Sequence, residues 1–231
     1  MSKNQTGVAV NRVAYGSSSW GIVQEGDVIL AIHGIDIAND GTVPFAMNDR
    51  LDFPYLLVRK HFGERVKLRI LRQEQIEEVT LVLKGKVDII PRYEYDLKPT
   101  YYIFGGLVFT KLTFDYYWEK GYKSPALANH LFSDIRTPER EEIVVLGSVL
   151  ADTVNSGYHD YKNEVVEEIN GRPVSDMRDL VEKIENLDSP YLLVGLENRE
   201  KIALEIERCR EVNSHILEQY GIPSDRSDNL R

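Results

Sequence analysis

The sequence predicts a mainly β protein with capping helices (α+β), built as two similar small domains. A repeated pattern carries that expectation: Gly26-Asp27-Val28-Ile29-Leu30-Ala31-Ile32-His33-Gly34-Ile35-Asp36-Ile37 returns as Asn163-Glu164-Val165-Val166-Glu167-Glu168-Ile169-Asn170-Gly171-Arg172-Pro173-Val174. In each copy an acidic residue precedes a β-branched strand, a polar-Gly turn follows, and a short strand ends in Ile or Val. The flanking elements repeat as well, in the order strand, turn, strand, helix, strand, strand. Finally, 231 residues suffice for two domains of about 100 residues each. A repeated unit of this size reads as one small domain present twice.

Residues 7–13 form the first candidate strand, leading through the small-residue stretch Tyr15-Gly16-Ser17-Ser18-Ser19 to the first copy of the pattern. The counterpart segment is 143–149, followed by Ala151-Asp152 and Asn155-Ser156-Gly157. After the first copy, 38–50 is an insertion with a turn signal at Asn39-Asp40-Gly41. Residues 53–60 space their apolar positions as a helix does. The second helix, 175–184, is better defined: Ser175 is the expected N-cap, and Met177, Leu180, Val181 and Ile184 form one apolar stripe. A hairpin follows each helix, 66–72 with 79–83 and 191–196 with 201–206.

The first domain is expected over 1–86 and the second over 100–209, with a semi-extended linker at 87–99. Gly85 just before it and Pro91 and Pro99 within it punctuate that linker, but its apolar residues suggest that the domains pack on each other. Residues 210–231 are expected to form a short amphipathic helix through Val212, Ile216 and Leu217, then a polar tail that frays after Pro223. Phe114 to Tyr122 is aromatic-rich and reads as a helix with one face packed inward, or alternatively as an interface.

Composition excludes several functions. The net charge of −9 argues against a nucleic-acid surface, which needs clustered Lys and Arg. No apolar run approaches the roughly 20 residues of a membrane-spanning helix. Cys209 stands alone, so no disulfide within the chain and no Cys-based metal site is expected. His33, His61, His130, His159 and His215 are scattered, without metal or triad spacing. Neither a phosphate loop nor a His-Glu-x-x-His helix is present, and no cofactor, metal or catalytic residue is expected. No secretion signal follows Met1-Ser2-Lys3-Asn4-Gln5, which points to the cytoplasm for the chain as given; a piece of an exported protein would read the same.

The run Tyr101-Tyr102-Ile103-Phe104-Gly105-Gly106-Leu107-Val108-Phe109 is an apolar strand broken by paired glycines. Such a pair marks a bulge, a bend, or a place where something approaches the backbone closely. One candidate for that something is the carboxylate of a peptide, held in a nest of backbone N–H groups.

Together, the order of elements, the Gly-Asp-Val-Ile-Leu-Ala-Ile-His-Gly run and the apolar-Gly-Gly-apolar loop resemble PDZ domains, specifically the permuted PDZ domains of Deg/HtrA (protease Do-like) serine proteases. Residues 39–45, 101–109 and 149–158 are similar to the C-terminal tandem of the Do-like 9 branch, known from plants. The resemblance implies two partly open PDZ-like β-barrels that bind extended or C-terminal peptides of proteins. It places the carboxylate loop at Phe104, Gly105, Gly106 and Leu107, with the peptide-pairing strand continuing through Val108 and Phe109. Met177, Leu180, Val181 and Ile184 would supply the helix side of the groove, although such a stripe is more often plain core.

The chain departs from the family at two points. Nothing matches the protease's Gly-Asn-Ser-Gly-Gly nucleophile turn, so the chain itself is not expected to be an enzyme. Only six residues precede Gly7, so the first domain is expected to lack its carboxylate-loop strand. The expected function is therefore a non-catalytic peptide-binding tandem, the regulatory part of a serine endopeptidase that forms a homo-oligomer. The alternative is an assembly module whose grooves are self-occupied or non-binding.

Overall fold

The computed structural model describes residues 5–231 except 48, 86, 93, 95, 96, 122 and 123. Parts of the insertion, the linker and the aromatic-rich stretch therefore lie outside the described residues. The chain divides into two compact units, Met1–Val87 and Asp88–Arg231.

In the first unit β1 (Val8–Ala9) pairs with β2 (Val28–Ile32), which turns into β3 (Ile35–Asp36). The insertion forms an antiparallel ribbon, β4 (Thr42–Pro44) with β5 (Arg50–Asp52). A single helical turn, α1 (Tyr55–Val58), leads to the hairpin β6 (Arg65–Arg72) and β7 (Gln75–Val82), and the sheet runs β1-β2-β6-β7. Alternation sets the faces of β6: Val66, Leu68 and Ile70 join the core with Val23, Ile32, Ile37 and Val43, while Arg65 and Lys67 face water. The helix expected over 53–60 shortens to this one turn. Phe53, Leu56 and Leu57 pack against the core, Val58 is exposed, and so short a helix has little besides packing to sustain it.

The second unit opens with the hairpin β8 (Tyr101–Phe104) and β9 (Leu107–Lys111). α2 (Phe114–Tyr116) runs on into a π-helical turn, Tyr117–Gly121, before α3 (Pro125–Ser133). Then follow β10 (Val144–Val149), β11 (Glu164–Ile169), β12 (Arg172–Pro173), α4 (Met177–Glu185), β13 (Tyr191–Leu196), β14 (Lys201–Glu205) and α5 (Ile206–Gln219). The sheet order is β14-β13-β11-β10-β9-β8, with β12 beside β11. Its middle is covered on both faces. On β10, Val144 and Leu146 enter the cluster that includes Met177, Leu180 and Ile184 of α4, while Val145 enters a second one with Leu127 of α3.

The second unit departs from expectation in four places. Ile89 and Ile90, in the expected linker, are buried in its core beside Leu112 and Ile143, because an apolar Ile pair gains more from burial than from bridging. α4 is capped by Asp176 rather than Ser175: its carboxylate accepts the Asp179 N–H at 2.9 Å. α5 begins at Ile206, directly out of β14, and buries Ile206, Cys209 and Ile216, so the boundary expected at 209 falls inside a helix. The tail does not fray, as detailed below.

The two copies of the repeat match in strand order, bulge position and turn geometry. The order β1-β2-β6-β7 corresponds to β10-β11-β13-β14, with β3 and β12 as matching side strands. A bulge falls between Ile29 and Ala31 in one copy and between Val166 and Glu168 in the other. The polar-Gly turns both have two left-handed residues, His33-Gly34 and Asn170-Gly171, the geometry a two-residue hairpin favours. Before the strand, Gly26 and Asn163 also share positive φ, and Asn is among the few residues that tolerate it.

Candidate peptide-binding groove

The paired glycines form the two-residue turn of the β8–β9 hairpin, with φ of +57° at Gly105 and +82° at Gly106. Space as well as conformation demands glycine here. A Cβ on Gly105 would lie 2.6 Å from the Cys209 Sγ, and one on Gly106 would lie 2.4 Å from the Leu150 carbonyl oxygen. Side chains already hold the turn. The Gly105 N–H donates to Asn213 Oδ1 of α5 at 3.0 Å. The fully buried Asn155 donates from Nδ2 to the Gly105 and Leu150 carbonyls at 2.9 and 2.8 Å. A carboxylate nest at Gly105 is thus corrected: that amide is used by α5, and the turn is a closed structural joint.

The pairing strand is corrected too. β9, with Leu107, Val108 and Phe109, pairs with β8 on one side and β10 on the other, so neither edge can take a further strand. Leu107 and Phe109 are fully buried, as are Met177, Leu180, Val181 and Ile184 of α4, in the same core cluster as Phe104. The stripe is core.

The edge that does accept a strand belongs to β8. Its Ile103 N–H donates to the Asp225 carbonyl at 2.7 Å, and the Ser227 N–H donates back to the Tyr101 carbonyl at 3.0 Å. Tyr102 and Arg226 face each other as an antiparallel pair between those two bonds. Residues 225–227 are therefore an added strand, and α4 closes over the segment from the other side. Arg178 donates to the Asn229 carbonyl, and Glu185 accepts from Arg226. Leu230 is buried in the core cluster that α4 caps. Strand edge on one side and helix on the other enclose an extended chain, the geometry of β-strand addition.

Arg226 is the polar centre of this groove. Its guanidinium carbon lies 5.0 Å from the centroid of the Tyr102 ring. Its Nη2 donates to Glu185 at 2.5 Å and to Asp225 at 2.7 Å. The hydrogen bonds that Arg226 donates to Asp225 and Glu185 outweigh desolvation and hold it firmly charged. Burial pushes the Tyr102 phenol well above its ordinary range, so it stays neutral. Burial also lifts the Cys209 thiol to about 12, and a thiol so protonated is unreactive.

In the first unit the Gly-Asp motif is structural. Asp27 accepts from the Gln24 N–H at 2.8 Å and from Arg72 Nε and Nη2 at 2.9 and 2.7 Å. In the second copy Glu164 and Asn198 occupy the corresponding places, joined at 3.3 Å, so both halves of the pair differ together. Among the described residues the first unit has no hairpin like β8–β9, and β1 is the edge of its sheet. Nor do the described residues contain a group of three or more His, Cys, Asp or Glu placed to hold a metal. No helix among them is long and apolar enough to cross a membrane.

The residues expected from the sequence to line a groove lie in the closed turn, in the doubly paired strand β9 and on the core face of α4. The contacts that the sequence did not suggest are those of Tyr101, Tyr102 and Ile103 of the edge strand, and of Arg178 and Glu185 on the polar side of α4, with the segment 225–230. The only signal for that segment was a lone apolar residue, Leu230, in a polar run.

A fold of this order, with an edge strand and a helix flanking an added strand, defines a class of peptide-recognition domain. Residues 90–229 match the PDZ domain family, and the chain belongs to it. Over almost its whole length it is also homologous to proteases of the Do-like (Deg/HtrA) family. It is 34% identical to Protease Do-like 2, chloroplastic, of Arabidopsis thaliana, over 97% of this chain and 37% of that protein. It is 31% identical to Putative protease Do-like 3, mitochondrial, of the same plant, over 100% of this chain and 40% of that one. A Serine protease DegP homolog of Plasmodium falciparum is 28% identical over 86% of this chain and 21% of its own length. The chain thus spans about two fifths of the plant relatives.

Proposed function

We propose that this chain is the non-catalytic peptide-recognition part of a Deg/HtrA-type serine endopeptidase. In this reading the second unit takes an extended peptide along the outer edge of β8, opposite α4, and the first unit serves as a scaffold. The peptidase activity belongs to the remainder of a longer protein, which assembles as a homo-oligomer. One observation carries the proposal: the β8 edge already holds an extended segment, 225–227, as an added strand under α4. A second reading, an assembly module with a permanently filled groove, is favoured by the burial of Leu230 in the core.

The two readings are separated by titrating the chain with peptides that end in free apolar residues while hydrogen exchange at Ser227 is followed. Saturable binding with faster Ser227 exchange supports recognition with displacement. No binding, together with concentration-dependent self-association, supports assembly. The expected affinity is micromolar at best, since one added strand with one or two side-chain sites is a small interface.

A further inference from the structure

The segment lying in the groove is itself a record of what the groove can read. Resting on the reading of β8 and α4 as the peptide site, we propose that this site selects an arginine, carried by an extended peptide with an acidic residue before it and an apolar residue four positions after it.

Tyr102 and Arg226 form the non-hydrogen-bonded pair of the added strand, the pairing in which opposed side chains approach most closely. Tyr102, almost wholly buried, presents its ring as a flat floor, and the guanidinium carbon sits 5.0 Å from its centroid. From the opposite wall the last residue of α4, Glu185, points its carboxylate at the same guanidinium. Ring and carboxylate thus come from the two walls of the groove and converge on one cation. The preceding Asp225, part of the segment itself, accepts from Arg226 Nε at 3.2 Å and Nη2 at 2.7 Å.

A planar guanidinium can lie over the ring while its edge nitrogens reach both carboxylates. A lysine ammonium, a point charge on a flexible stem, cannot satisfy the ring and both acids in one position. The segment then runs past Arg178, which donates to the Asn229 carbonyl, and buries Leu230 in the core. The groove therefore has two side-chain sites, one cationic and one apolar, joined by backbone pairing.

The test uses the full chain with Arg226→Ser and Leu230→Ser, which removes both anchors and leaves the segment covalently present. The probe is a fluorescently labelled peptide with the sequence of residues 222–231, compared with Arg226→Lys and Arg226→Ala versions and with peptides that end in apolar residues and lack arginine. The expected result is saturable micromolar binding of the first peptide, at least tenfold weaker binding of its Lys and Ala versions, and comparable loss when Glu185→Gln is added to the protein. Equal binding of the Ala version or of the arginine-free peptides overturns the arginine preference and leaves the peptide groove standing. No binding of any peptide, with the Val145 amide still protected, overturns both. Should the double variant not fold, Glu185→Gln alone in the otherwise unchanged chain gives the answer. Exchange of the Ser227 amide should then rise at least tenfold with Val145 unaffected, and unchanged Ser227 exchange overturns the proposal.

Discussion

Asp27 shows how a motif that looks like a binding signature can be a structural clamp. Its carboxylate is nearly fully buried and takes three hydrogen bonds, two of them from Arg72. The Arg72 bonds, against some desolvation, hold its pKa below the ordinary carboxylate value of about 3.9. A carboxylate whose folded pKa is depressed stabilises the fold above its unfolded pKa, and that stability is lost as pH falls through the folded value. Asp27→Asn should therefore cost about 2–3 kcal/mol in urea denaturation at pH 7. The gap to the unchanged protein should close as pH drops below about 4. The sequence made the repeat of this motif legible, but the pairing of Asp27 with Arg72, 45 positions away, is tertiary information. Gly105→Ala should also destabilise, by about 3 kcal/mol, since it combines a left-handed φ with a contact against Cys209. A chemical-denaturation midpoint measures that directly, and no loss would contradict the closed turn.

At the scale of elements, the β8–β9 hairpin and α4 form the walls between which the segment 224–231 lies. The periodicity of Met177, Leu180, Val181 and Ile184 located α4 correctly, but a stripe reports only which face is buried. Here it turned to the core and left Arg178 and Glu185 facing the added strand. The closed turn escaped for a similar reason. Paired glycines say that the backbone is special, whereas the groups occupying Gly105 are Asn213 and Asn155, distant in sequence. The docked tail was illegible because strand addition is bonded through backbone, which leaves no side-chain pattern. Leu230→Ala should release it: Ser227 and Ile103 amides should exchange at least tenfold faster, while the β10 amides keep their protection. Equal exchange in the variant would mean that backbone pairing alone holds the segment.

Across the whole molecule, duplication is the strongest feature of the sequence and of the fold, down to a shared bulge and shared left-handed turns. The two copies are nevertheless unequal. The second unit adds the β8–β9 hairpin ahead of the shared β-strand order, and that hairpin supplies the edge on which a peptide can pair. The repeat was legible in the sequence, because the Gly26-Asp27-Val28-Ile29 run has its counterpart in Asn163-Glu164-Val165-Val166. The proposed recognition role therefore rests on the second unit, where an incoming peptide would take the β8 edge once 224–231 leaves it. Hydrogen exchange of the full chain, with and without a large excess of a peptide of sequence 222–231, tests that claim most directly. Exchange at the Ser227 amide should accelerate as the resident segment is displaced, while the Ile103 amide, re-covered by the incoming strand, stays protected. Unchanged Ser227 exchange at millimolar peptide would contradict it.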